Sequence, residues 1–211
     1  MDEDDGESAL AACGCVTAIR RLLDACNKQP EVMNQLEMVI MPILMHGLTP
    51  DGLDSIEDGL DCISLLLYYK QKGQAVSPQM WYLLPQIMHI IGGKPGDVDG
   101  GFAYEYLSLS VVAIQNFISK DPATLLTKGE GQEATYLELI FKFLQNILVM
   151  NHNNKAKTDG ISALRIVISL FENLEGQIEA AMPDFIGMLL AELSVLIKKK
   201  KPNQKYLLML L

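Results

Sequence analysis

Three histidines, His46, His89 and His152, are the side chains of this 211-residue chain best suited to acid–base chemistry near neutral pH. A nucleophilic mechanism would need one of them beside a serine or cysteine that it can activate. No such motif surrounds any of the three, because His46 and His89 fall at the ends of predicted helices and His152 falls in an Asn-rich break. We interpret all three as structural and predict no catalytic residue.

Four cysteines, Cys13, Cys15, Cys26 and Cys62, all fall within helical patterns in the first third of the chain. A disulfide framework normally stabilises a small secreted domain with a poor core, which this composition does not describe. The Cys13-Gly14-Cys15 motif lacks the second pair of ligands that a zinc site needs. We therefore expect reduced intracellular thiols, no metal and no cofactor.

The glycine-rich run at 92–97 invites comparison with a phosphate-binding loop. Such a loop follows a strand, ends in Lys-Ser/Thr and opens directly into a helix. Here a predicted helix precedes the run and no such ending occurs, so we interpret the run as a loop between helices.

Two sets of charged residues have structural explanations. The acidic pairs Asp58/Asp61 and Glu172/Glu175 have helical spacing without a partner that would perturb their acidity, and we interpret them as solvated faces. The lysines at 198–201 resemble a nuclear-localisation run. However, lysines also favour a helix C-terminus, and Pro202 follows at once, so the structural interpretation is favoured.

The composition limits the class of partner. The net charge is −9 and hydrophobic residues make up 49% of the chain, which provides ample core. Negative charge disfavours nucleic acids and anionic membranes and leaves basic proteins as partners. The chain begins with Asp2 to Asp5 where a secretory signal would be basic, and its longest apolar stretch, 136–150, contains Glu138 and Lys142 and is too short to span a bilayer.

The elements that must position any site are helices. Apolar residues recur every three or four positions, and no stretch alternates with a period of two. Ser77-Pro78 predicts a helix start, and Pro42 should kink the second helix. The predicted helices lie near 8–27, 30–47, 52–70, 77–91, 102–119, 132–150, 157–174 and 177–200, with a short turn of helix after Asp121-Pro122.

In pairs, these helices form units near 8–47, 52–92, 102–151 and 157–200. Unit lengths of about 40–50 residues suit HEAT-type repeats. The sequence therefore predicts an all-α HEAT-repeat α-solenoid, a right-handed superhelical stack of antiparallel helix pairs. Residues 1–7 are predicted to be a disordered acidic flank. Residues 202–211 end in an apolar run and are expected to begin a further, truncated helix.

One decapeptide, Val76-Ser77-Pro78-Gln79-Met80-Trp81-Tyr82-Leu83-Leu84-Pro85, resembles a helix start in the importin seven/eight branch of the importin-β (karyopherin-β) family. Weaker likeness extends to 12–23 and to the helix at 135–141, in the same order as in that family. The glycine-rich loop at 92–101 is longer than the family pattern.

The resemblance implies a section from the C-terminal half of a nuclear import receptor. Members of that family are HEAT arrays that carry cargo proteins, including basic ribosomal proteins and histones, through nuclear pores, and they shuttle between cytoplasm and nucleus. The small GTPase Ran binds mainly their N-terminal repeats. The implied partners are cargo, Ran through repeats outside this section, nucleoporins and importin-β as co-receptor, with neither nucleic acid nor membrane.

The second helix of each HEAT pair usually lines the concave face, and polar residues there would contact cargo. The candidate positions are Glu37, Gln86, Glu138 and Glu192, which would give an acidic inner surface. Trp81 and Tyr82 are interpreted as packing residues. The alternatives are a HEAT or armadillo scaffold of another system (an exportin, a phosphatase scaffold subunit or a coat adaptor) and, with least support, an all-α enzyme.

Overall fold

The computed structural model describes residues 3–71, 74–93, 100–149, 159–179, 183–187 and 190, and within these ranges the regular structure is helical. The helices with defined bounds are α1 (Glu3–Ala25), α2 (Pro30–Gly47), α3 (Ile56–Tyr68), α4 (Pro78–Gly92), α5 (Leu107–Lys120), α6 (Pro122–Leu125), α7 (Tyr136–Val149) and α8 (Asp159–Asn173). Residues 183–187 are helical as well. Short 3₁₀ helices, Pro50–Ser55 and Tyr104–Tyr106, precede α3 and α5. The all-α prediction is confirmed.

The helices form two layers. In the first layer α1, α3, α5 and α8 pack in that order, and in the second layer α2, α4 and α7 do the same. Side-chain hydrogen bonds join residues of successive pairs at separations of 40 to 54 residues, such as Gln74 with Asn34 and Asn146 with Gly92. One structural unit therefore recurs at the spacing of HEAT-type repeats, which confirms the solenoid.

Trp81 illustrates how the core holds the pairs together. It is 3% exposed, and its ring centroid lies 5.1 Å from that of Phe117 and 4.7 Å from that of Tyr136. Its indole N–H donates to Asp121 at 3.4 Å. This single side chain thus joins α4 to α5 and to α7, in agreement with the packing role that the sequence predicted.

Several helix starts follow the local sequence. The Ser77 hydroxyl accepts a hydrogen bond from the backbone N–H of Met80 at 3.2 Å, with Pro78 at the first helical position, as predicted. Asp121 caps the short helix α6 by accepting from the N–H of Thr124 at 3.4 Å. Helix α2 runs through Pro42, which lies inside its bounds.

Several boundaries differ from the sequence prediction, among them the start of α3, where a 3₁₀ helix occupies 50–55. Helix α1 begins at Glu3, so the residues at 3–7, predicted to be disordered, are helical. Helix α5 begins at Leu107 because a 3₁₀ helix occupies 104–106, and α7 begins at Tyr136 because its cap lies at Thr135.

The ends of the glycine-rich loop are held together. The N–H groups of Gly93 and Gly101 both donate to the carbonyl of His89, at 2.8 and 3.0 Å. Gly101 has φ of 71° and lies against Gly93, so a side chain there would be strained and would meet backbone. Several predicted features lie outside the described residues: positions 94–99, positions 150–158 with His152, the lysines at 198–201 and the predicted helix start at 202–211. The division into four pairs stays a prediction.

Candidate protein-binding surface

One side of the second layer faces away from the first layer. Exposed residues of α2, α4 and α7 form this side, which we call the second-layer surface. On α4, Gln79, Tyr82 and His89 are exposed and Gln86 is half-buried, at spacings of three or four that place them on one side of the helix. The buried residues of α4 occupy the other sides. Because the other sides of α4 are buried, this stripe is the part of the helix that a partner can contact.

The exposed second-layer surface carries little charge. Helix α4 contains no acidic residue and, apart from His89, no basic one. The exposed charged residues of α2 and α7 are Glu31, Glu138 and Lys142, which nearly cancel. The net charge of −9 therefore acts mainly from other parts of the chain, among them the exposed Asp51 and Asp54 just before α3 and Glu57 in its first turn. The described part of this surface is therefore nearly neutral, and the acidic concave face stays a prediction.

Glu37 does not lie on the surface. It is 7% exposed, its carboxylate lies 3.0 Å from the ammonium group of Lys70, and it also accepts a hydrogen bond from the Ser77 hydroxyl. The sequence placed Glu37 on the concave face because it is a polar residue on the second helix of a pair, which usually lines that face. Its burial was not evident, because its partner Lys70 comes from another helix pair.

Glu138 is exposed, but its carboxylate has a local partner. The carboxylate accepts from the backbone N–H of Thr135 at 2.7 Å, and the N–H of Glu138 donates to the Thr135 hydroxyl at 3.2 Å. This is a capping box. The backbone and side-chain hydrogen bonds from Thr135 lower the pKa of Glu138. Gln86 is half-buried and Glu192 lies outside the described residues.

Tyr82 is the surface residue that the sequence analysis missed. Its neighbour Trp81 is buried, whereas 51% of Tyr82 is exposed. Two adjacent helical residues point about 100° apart, so they need not share an environment, and the spacing from Tyr82 to the polar Gln79, Gln86 and His89 would have indicated its exposure. An exposed tyrosine among uncharged residues is a typical interface anchor.

The first layer contains a cavity of about 630 Å³ between α1, α3 and α5. Its polar wall is internally paired: Arg20 Nη1 lies 3.0 Å from Asp61, Arg20 Nε lies 2.9 Å from Asp58, and the Tyr69 hydroxyl donates to Asp24 at 3.0 Å. The hydrogen bond that Arg20 donates to Asp61 and the charge of Asp58 raise the pKa of Arg20. These contacts between pairs stabilise the stack.

No group of three or more His, Cys, Asp or Glu side chains among the described residues could hold a metal ion. None of the helices in the same part of the chain is long and apolar enough to cross a bilayer.

The chain is similar to importins over nearly its whole length. It is 27% identical over 205 residues to a probable importin-7 homolog of Dictyostelium discoideum, and 26% identical over 192 residues to an importin beta-like SAD2 homolog of Arabidopsis thaliana. Human importin-8 is 22% identical over 193 residues. These alignments cover 96%, 91% and 91% of the chain.

The resemblance to the importin-β family is confirmed. The chain spans about 17% of the length of each of these relatives. No protein-family model matches it, and no solved structure matches it.

Proposed function

We propose that this chain is a section of a nuclear import receptor that binds cargo proteins for Ran-dependent transport through the nuclear pore. The observation that carries the proposal is the similarity to importins over 91–96% of the chain. The section corresponds to the C-terminal half of a receptor that shuttles between cytoplasm and nucleus. Ran contacts it mainly through repeats outside this section, and nucleoporins and importin-β are further partners of the whole receptor.

The second-layer surface is the proposed cargo site. Tyr82 is 51% exposed and Met38 is 73% exposed, so both offer apolar area that a partner can bury. Glutamine side chains beside them, Gln79 on α4 and Gln35 on α2, can donate and accept hydrogen bonds with a partner's backbone. A surface of this kind binds by burial and hydrogen bonding rather than by charge pairing.

The cargo is proposed to be basic, such as a ribosomal protein or a histone. A net charge of −9 attracts such proteins over a distance of about one Debye length and increases the rate of encounter. Because the docking surface itself is nearly neutral, salt should slow association more than it speeds dissociation. Gln86 and Glu138 belong to this surface and remain candidate contact residues.

The test is retention of purified core histones and of purified ribosomal proteins on the immobilised 211-residue chain, at low and at physiological salt. Stoichiometric retention that weakens with salt but persists supports the proposal. The native receptor that carries this sequence is then tested with Ran bound to a non-hydrolysable GTP analogue, which should release the cargo. Two results would overturn the proposal. In the first, the chain retains neither class of basic protein; in the second, an unrelated acidic helical protein retains both classes as strongly as the chain does.

A further inference from the structure

The cavity of about 630 Å³ opens on the outer side of the first layer, where its lining residues Asp24 and Val112 are exposed. Helix α3 lies between α1 and α5 in this layer, so α3 forms the floor of the cleft and the other two helices form its walls. Glu57, Asp61 and Ser64 follow one another at spacings of four and three, which places them on one side of α3. A further helix pair stacked against α1 would lie beside the cleft and would not cover it.

The cleft belongs to the part of the chain that carries the net charge. Residues 1–70 contain 13 acidic and four basic residues, which accounts for the whole net charge of −9, and residues 71–211 are balanced. Two of the three helices around the cleft, α1 and α3, fall in the acidic part. A negative field of this kind raises the local concentration of positively charged segments at the cleft.

Carboxylates also outnumber guanidinium groups at the cleft itself. Arg20 Nη1 lies 3.0 Å from Asp61 and Arg20 Nε lies 2.9 Å from Asp58, so two carboxylates already surround this one guanidinium group. Arg21 is exposed, and no described carboxylate forms an ion pair with it. Together with Asp24, the helices α1 and α3 therefore place three carboxylates against two guanidinium groups, and only Arg21 opposes the binding of a cation.

The chemistry of the cleft suits a cation on an aliphatic stem. Asp24 accepts one hydrogen bond through Oδ1, and a carboxylate can accept several. Leu65 and Val112 line the same cleft, and the methylene groups of a lysine or an arginine can pack against them. The ring of Tyr68 is already engaged, because the Lys120 ammonium group lies 5.5 Å from its centroid. A bound cation would therefore depend on the carboxylates and not on this ring.

We infer that this cleft binds a lysine- and arginine-rich extended tail of a basic cargo protein. The inference rests on the proposed function, because the tail belongs to the protein that docks on the second-layer surface. A volume of about 630 Å³ lies within the range of roughly 300–1,000 Å³ that is typical of ligand pockets. Two layers of helices, each about 10 Å thick, separate the cleft from the second-layer surface, so a tail of roughly ten extended residues reaches it.

Fluorescence anisotropy of a labelled histone N-terminal tail peptide with the 211-residue chain, at about 50 mM and about 150 mM salt, tests this inference. At the lower salt, Asp24→Asn should weaken binding about threefold and Arg21→Gln should strengthen it about threefold, as expected for single exposed charges. Glu172→Gln and Lys128→Gln are the matched controls, because both residues are exposed and lie outside the cleft. They change the net charge equally and should change the affinity less than about 1.5-fold. Circular dichroism establishes that each variant is folded.

Three results would overturn the inference. In the first, the peptide does not bind; in the second, Asp24→Asn and Glu172→Gln weaken binding equally, because net charge alone then attracts the peptide. In the third, Arg21→Gln weakens binding or an acidic peptide of the same length binds more tightly, because the cleft then selects negative charge. Any of these results together with retention of whole core histones leaves the proposed function in place, whereas loss of that retention contradicts the proposed function itself.

Discussion

Lys70 and Glu37 form an ion pair inside the stack: the two charged groups lie 3.0 Å apart, and their side chains are 6% and 9% exposed. The Ser77 hydroxyl donates to the same carboxylate and also caps α4. The pair therefore joins α2, the end of α3 and the start of α4. In this way a buried polar contact sets the position of the second layer relative to the first.

Glu37→Gln should lower the free energy of unfolding by about 3–5 kcal/mol, because it leaves the Lys70 ammonium buried without its counter-charge. Urea denaturation at neutral pH measures the loss. Glu31→Gln on the same helix is the control, because Glu31 is exposed and its loss should cost less than about 0.5 kcal/mol. The double variant Glu37→Leu/Lys70→Met should recover most of the loss. Equal small effects of both glutamate variants would contradict the role of the pair.

Alanine substitutions at two glycines, Gly92 and Gly59, should change the stability of the chain in opposite directions. A Cβ at Gly92 would lie 2.6 Å from Cδ2 of Phe143, so Gly92→Ala should destabilise the chain by about 1–3 kcal/mol through overpacking of α4 against α7. A Cβ at Gly59, inside α3, would meet no atom within 4 Å. Gly59→Ala should therefore stabilise the helix by up to about 1 kcal/mol. Thermal unfolding of both variants checks the signs, and the same sign for both would contradict the packing described for Gly92.

Local sequence signals predicted the helices well where a cap and a periodic stripe coincided. Ser77-Pro78 and Asp121-Pro122 begin helices as expected, because their capping needs only neighbouring residues. The start of α7 was missed, although Thr135 and Glu138 have capping-box spacing, because the glycines at 129 and 131 are a stronger local break. Helix starts were therefore predictable only where one local capping or breaking signal was clearly stronger than the others.

The candidate surface was less predictable than the fold. Helical periodicity shows which residues share a side of a helix, but not which side faces another pair. Glu37 was placed on the surface and is buried, because Lys70 and Ser77 approach it only after the chain has folded. Tyr82 was placed in the core with Trp81 and is half-exposed. The error at Glu37 comes from contacts between residues in different helix pairs, whereas the exposure of Tyr82 could have been inferred from its spacing to polar residues on α4.

Cys62 should be unreactive toward thiol reagents at pH 8, while the exposed Cys15 reacts rapidly. Burial raises the pKa of the Cys62 thiol from 9.0 to about 12, and the negative charges of Asp58 and Asp61 act in the same direction. Labelling followed by peptide mass spectrometry measures both rates. Comparable labelling of Cys62 and Cys15 in the folded chain would contradict the burial of Cys62.

The raised pKa of the Cys62 thiol makes the free energy of unfolding depend on pH. Above pH 9 the thiol of the unfolded chain loses its proton while the folded chain keeps it, so the unfolded state binds fewer protons. The contribution of Cys62 is therefore present below pH 9 and is lost as the pH rises toward 12. Cys62→Ala should reduce this alkaline loss of stability in urea titrations, and Cys15→Ala should leave it unchanged.

Two exposed tyrosines on opposite layers allow a direct test of the proposed cargo surface. Tyr82 on the second layer is 51% exposed and Tyr68 on the first layer is 61% exposed. Fluorescence anisotropy should measure the affinity of the chain, of Tyr82→Ala and of Tyr68→Ala for a labelled core histone at physiological salt. We expect Tyr82→Ala to weaken binding about tenfold, as for an interface anchor, and Tyr68→Ala to change it less than about twofold. Unchanged affinity in Tyr82→Ala, or an equal loss in Tyr68→Ala, would contradict cargo binding by the second layer.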